Sequence, residues 1–101
     1  MNVRRTGDWM TTLDDRILEY LDTDAAATPR TIARSRRRPV STQKIRERLR
    51  VLAQAGYVEP WTDDYDLFSL TIWGRLYLDG EARADQIVPE PSPQRPGYVL
   101  D

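Results

Sequence analysis

The chain contains neither cysteine nor histidine. Without cysteine there are no disulfides, thiolate metal sites or sulfur nucleophiles, and the absence is silent on redox compartment. Without histidine the commonest general base and the commonest metal ligand are both missing. The sequence therefore predicts no enzymatic activity, no metal and no cofactor. Long apolar runs are missing too, since nothing approaches the roughly 20 residues that cross a bilayer as a helix. Arg4 and Arg5 are not followed by the apolar core of a signal peptide. The expectation is a soluble cytoplasmic protein without a membrane partner.

Lysine is scarce as well: of 15 basic residues only Lys44 is lysine, and most of the 16 acids are aspartate. That bias is associated with proteins of salt-loving archaea. At 101 residues the chain has the size of one domain. A core this small is modest, so a homodimer interface is a natural supplement. The net charge of −1 conceals a segregation of charge along the chain. The segment Arg30 to Arg50 holds 9 basic residues and one acid, Glu47, for a charge of +8, and the remainder carries −9. Such asymmetry points to a polyanionic partner met by one segment.

Thr11 or Thr12 can cap a first helix, with Asp14 or Asp15 completing a capping box. Leu13, Ile17, Leu18 and Leu21 recur at helical spacing and predict that helix over about residues 12–21. Thr28 followed by Pro29 is a cap and first-turn pair that opens a short second helix, to about Ser35. The segment Arg36 to Pro39 breaks it. Ser41 offers the next cap, and Ile45, Leu49 and Leu52 at i, i+4 and i+7 define a third helix over residues 42–55, closed by Gly56. Residues 57–61 and 66–70 read as strands joined by the acidic loop 62–65. Thr71 caps a last helix, about residues 72–79, with Ile72, Trp73, Leu76 and Tyr77 available for burial. Residues 1–10 are expected to be a frayed arm, 11–80 the folded domain, and 81–101 an extended proline-rich tail with Tyr98, Val99 and Leu100 at its tip.

A short helix, a tight turn, a longer capped helix and then a hairpin describe a mainly α fold with a small β-hairpin, the winged helix-turn-helix. In that architecture the second helix of the pair enters the major groove of double-stranded DNA. Its candidate base-contacting residues are Ser41, Thr42, Gln43, Arg46, Glu47 and Arg50. Arg46 or Arg50 suits guanine O6 and N7, Gln43 suits adenine, and Glu47 can accept from cytosine or orient an arginine. Arg34, Arg36, Arg37, Arg38, Lys44 and Arg48 are the candidate phosphate contacts. The bland alternative is that these charges form a solvated surface, with pairs such as Arg46 and Arg50 as ordinary helix neighbours. For Trp9, Trp61 and Trp73 the bland reading is preferred: core or dimer filler. The acid pairs Asp14/Asp15 and Asp63/Asp64 are read as capping and loop solvation.

The opening Trp9 to Leu21 resembles that of the small haloarchaeal winged-helix regulators similar to the repressor of phage phiH. Segments Ile45 to Leu49, Ala55 to Val58 and Leu70 to Glu81 agree, so the likeness covers about residues 8–81. The resemblance implies a sequence-specific transcriptional regulator, a repressor. One feature departs from it: a wing that touches DNA usually offers a basic residue, whereas this loop carries Asp63, Asp64 and Asp66, which phosphates repel. The same basic face also suits a protein-interaction module with an acidic partner protein. A dimer would set two copies of the third helix about 34 Å apart in successive major grooves, with the first and last helices, Trp9, Trp73 and the tail in the subunit contact.

Overall fold

The computed structural model describes residues 3–36, 40–61 and 64–89. Each helix begins where a hydroxyl side chain takes up an orphan backbone N–H. Helix α1 (Thr12–Thr23) starts at Thr11, whose hydroxyl accepts from the Asp14 amide while the Asp14 carboxylate accepts from the Thr11 amide at 2.8 Å, a complete capping box. Helix α2 (Pro29–Arg34) is capped by Thr28, and helix α3 (Thr42–Gln54) by Ser41, which accepts from the Lys44 amide at 3.0 Å. Helix α4 (Ile72–Leu78) is capped by Thr71. Between α3 and α4 lie strands β1 (Val58–Trp61) and β2 (Asp64–Leu70), antiparallel, with Val58 opposite Leu70 and a register irregularity after Pro60. Gly56 turns the chain from α3 into β1 at φ 87°, a left-handed conformation that L side chains resist.

The apolar faces converge on one core. Ile17 and Leu18 of α1, Ile32 of α2 and Ile45, Leu49 and Leu52 of α3 are buried, joined by Tyr57, Val58, Phe68 and Tyr77. The rings of Tyr57 and Tyr77 stack at 5.4 Å. Helix α3 packs against α2, α1 and β1, which fixes its inner face and leaves the opposite one outward. The wing is tied back as well: Ala27, ahead of α2, exchanges two backbone hydrogen bonds with Phe68 of β2, at 2.9 and 2.8 Å.

Three expectations change. First, residues 3–10 and 81–89 are part of the folded unit. Arg4 reaches the Leu78 carbonyl at 3.2 Å and Glu19 at 2.6 Å, Thr6 pairs with the Tyr77 hydroxyl, and the backbones of Arg5 and Arg83 form a bridge. Ala82 and Ala84 are buried, and residues 84–86 form one 3₁₀ turn. The Trp9 indole N–H meets the carbonyls of Ile87 and Ala84 at 2.9 and 3.3 Å, so Trp9 fastens the returning chain. Second, Ile72 and Trp73 stay 69% and 59% exposed, and Trp61 is exposed too. Tyr77 is buried as expected, and Gly74 takes the rest of the inner face of α4, where a Cβ would lie 2.4 Å from the Tyr57 carbonyl oxygen. The helix rests backbone to backbone on the start of β1. Third, β2 begins at Asp64, so the link between the strands is shorter than the expected 62–65 loop. Residues 90–101, with the tail tip, lie outside the described residues.

Candidate nucleic-acid interface

Burial of Ile45, Leu49, Leu52 and Ala53 on one side of α3 determines where its other side chains go. On a 3.6-residue helix, Gln43, Glu47, Arg50 and Gln54 follow one another at i, i+4, i+7 and i+11, a row opposite the core. Gln43 and Glu47 are exposed, and Arg50 is half-buried. At the helix start Ser41 and Lys44 are exposed and Thr42 is half-buried; because the Ser41 hydroxyl already accepts from Lys44, its lone pairs are partly committed to the cap. Arg34 at the end of α2 is exposed. Arg36 is half-buried, and its Nε finds no acceptor among the described residues. Arg37 and Arg38 lie outside the described residues.

Two arginines on the flanks of that row behave differently from the expectation. Arg48 turns inward: its Nε and Nη2 donate to the two oxygens of Asp14, each at 2.8 Å, and Nη2 also donates to the Trp9 carbonyl at 3.0 Å. Only 16% of its side chain is exposed, and Asp14 is fully buried. The Asp14 hydrogen bond holds the guanidinium above its ordinary pKa against the opposing effect of burial. The phosphate role expected for Arg48 is therefore corrected: its Nε and Nη2 are engaged by Asp14 and the Trp9 carbonyl. The signal was present in the sequence, since Arg48 lies three residues after Ile45 and directly before Leu49, at the rim of the buried stripe.

On the other flank Arg46 turns toward the wing, where its Nη1 donates to Oδ1 of Asp66 on β2. Both side chains remain accessible, 38% for Arg46 and 50% for Asp66. Sequence reasoning saw Asp66 only as a carboxylate that phosphates repel and missed this partnership, because nothing local announces a contact between residues twenty apart on a helix and a strand. Asp63 lies outside the described residues. No group of three or more metal-ligating side chains occurs among the described residues, and no helix is long and apolar enough to cross a membrane. Gln43, Glu47, Arg50, Arg46 and the capped start of α3 are thus brought to one accessible surface with Lys44 beside them, and Arg48 is withdrawn from it.

The comparison with known proteins agrees with this fold. No curated protein matches the chain. Among solved structures, the crystal structure of the PhiH1 repressor-like protein from Haloarcula marismortui is similar at a TM-score of 0.78 and 29% identity, covering 85% of this chain and 96% of that one. The family model described as the winged helix-turn-helix phage repressor matches residues 3–89, including the segments at both ends that the fold draws into the domain. The chain belongs to the winged helix-turn-helix phage repressor family, a family of DNA-binding regulatory domains.

Proposed function

We propose that this protein is a sequence-specific double-stranded DNA-binding transcriptional repressor that reads its site with α3 in the major groove. The observation that carries the reading is the outward row Gln43, Glu47 and Arg50 on a helix whose other three sides are held by α1, α2 and β1. A major groove about 12 Å wide admits such a helix. Arg50 and Arg46 supply bidentate donors for guanine, Gln43 pairs with adenine, and Glu47 accepts from cytosine; Ser41 and Thr42 lie at the end of the helix that enters first. Arg34, Arg36, Lys44 and the arginines that follow Arg36 supply phosphate contacts, which set orientation and make affinity fall with salt. The work is cytoplasmic, on the DNA itself.

The repressor acts as a homodimer in this reading. Trp9 is committed inside the domain, so the contact centres on the uncovered Ile72 and Trp73 at the start of α4, beside an open groove of about 540 Å³ between Gly56, Trp73 and Ile87. An apolar pair next to a groove that mixes apolar residues with Glu81, Arg83 and Gln86 is a patch of the kind a two-fold contact can use.

Selection from random duplexes, followed by binding titrations at several salt concentrations, tests the proposal. It expects an enriched motif, salt-sensitive affinity, and for Arg50→Ala a loss of about 1–3 kcal/mol on that motif with relaxed base preference. Arg34→Ala should weaken all duplexes alike. An acidic protein partner would instead leave the chain indifferent to bulk duplex DNA, and that outcome would overturn the reading. A reporter placed behind the motif decides repression against activation. Sedimentation of the protein and of Trp73→Ala decides the dimer, which predicts a monomeric variant.

A further inference from the structure

The pairing of Arg46 with Asp66 goes beyond a surface ion pair when the surface is one that meets DNA. We propose that Asp66 is a specificity-determining positioning residue: it holds the Arg46 guanidinium and cancels its charge, so that Arg46 reads base edges and contributes nothing to indiscriminate phosphate binding. The inference rests on the DNA-binding reading and names a role for the wing within it.

The physical reasoning begins from charge. A bare arginine is attracted to any phosphate, and such contacts dominate binding that ignores sequence. At Arg46 a phosphate that approaches the guanidinium also approaches the Asp66 carboxylate bonded to it, so attraction and repulsion largely offset each other. A guanine edge is a neutral pair of acceptors and suffers no such repulsion. The contact occupies Nη1 of a side chain that carries several N–H groups, which leaves donors for O6 and N7. Geometry points the same way. Asp66 sits on β2, which is hydrogen-bonded on one edge to β1 and at Phe68 to the segment before α2, so the carboxylate is presented from a fixed frame. A guanidinium anchored at one end loses less freedom when it forms a bidentate contact. The acidic wing, unsuited to phosphates by its own charge, thereby has a use next to the reading helix.

The pair is accessible, so it adds little to stability, and Asp66→Asn should fold with an unchanged Tm. The test measures wild type, Asp66→Asn, Arg46→Ala and the double variant on the selected duplex and on random-sequence duplex across a salt series. For Asp66→Asn the random duplex should bind more tightly, with a salt slope steeper by about 1, because Arg46 becomes free to take one phosphate. The ratio of specific to random affinity should fall about tenfold, the scale of one bidentate base contact. Arg46→Ala should lower specific affinity and, because it leaves the Asp66 charge uncompensated, make the random-duplex slope shallower than in wild type. The double variant, which carries neither charge, should return to the wild-type slope. An unchanged ratio and slope in Asp66→Asn overturns the inference while leaving DNA binding intact. A double variant whose random-duplex slope is as steep as that of Asp66→Asn also overturns it, since the gain would then not come through Arg46. Failure of the wild-type chain to bind any duplex removes the DNA-binding reading itself and this inference with it.

Discussion

The Arg48 guanidinium lies side-on against the Asp14 carboxylate, Nε to Oδ1 and Nη2 to Oδ2, both at 2.8 Å, and so joins the third helix to the first turn of the first. Asp14 is at once the acid of the α1 capping box and, fully buried, the partner of a half-buried arginine. Removing one member leaves the other charge buried and unpaired, which costs about 3–5 kcal/mol. Arg48→Ala and Asp14→Ala should each lower the unfolding free energy by that order and so move the denaturant midpoint down, whereas Gln43→Ala on the outer row should leave it unchanged. Equal midpoints for Arg48→Ala and Gln43→Ala would contradict the buried role. Any loss of DNA affinity in Arg48→Ala should accordingly track unfolding.

Gly74 is required by proximity. A methyl there meets the Tyr57 carbonyl oxygen at 2.4 Å and a Leu70 methyl at 2.6 Å, and the first of these is backbone that cannot rotate away. Gly74→Ala should therefore destabilise by about 1–3 kcal/mol despite alanine's better helix propensity. Thermal unfolding measures it, and a rise in Tm would refute the close approach.

The returning segment after α4 should behave as structure. A chain ended at Gly80 loses buried Ala82 and Ala84 and strips the Trp9 indole of both acceptors. Its Tm should drop, and Trp9 fluorescence should shift toward the red as the ring meets water. A truncated chain as stable as the full one would restore the view of residues 81–89 as a tail.

Alkali should unfold this protein in a defined window. Burial, with the nearby Asp85 charge, pushes the Tyr57 phenol up to about 12. Burial and the hydrogen bond to Asp15 raise Tyr77 as well. For a group whose folded pKa is raised, the stabilising contribution is complete below the unfolded value, about 10 for tyrosine, and is lost as pH climbs through the folded value. Stability should thus decline from about pH 10 toward pH 12. Tyr57→Phe should flatten that decline. Because the Tyr57 hydroxyl has no partner among the described residues, the same variant should gain about 1 kcal/mol at neutral pH. Denaturant titrations at neutral pH and across the alkaline window measure both effects, and a loss of stability at neutral pH would reveal a partner.

What was legible in the sequence was local. Thr11, Thr28, Ser41 and Thr71 announce four helix starts because capping involves residues three apart, and each one caps as read. The apolar stripe of α3 likewise identifies its own outer face. The ends of the domain were illegible because their anchors are distant: Arg4 bonds to Leu78, Trp9 to Ile87, and the buried apolar residues of the returning segment are two alanines. Ile72 and Trp73 misled because hydrophobicity suggested burial at the place where a glycine lets the helix backbone come close. In the site, the outer row followed from periodicity. Arg48 stood at the rim of the buried stripe, but its partner Asp14, like Asp66 for Arg46, reaches the flank only through tertiary packing.

The two hydrogen bonds between Ala27 and Phe68 splice a third short strand segment onto the wing. A hairpin attached only at its base pivots; this one is stitched at mid-length to the chain that leads into α2. Hairpin and helix pair should therefore travel as a single rigid body. Under the proposed DNA-binding function, a duplex that takes up α3 would meet β2 at a height set in advance, and sites whose backbone crowds that strand would be refused by shape before any base is tested.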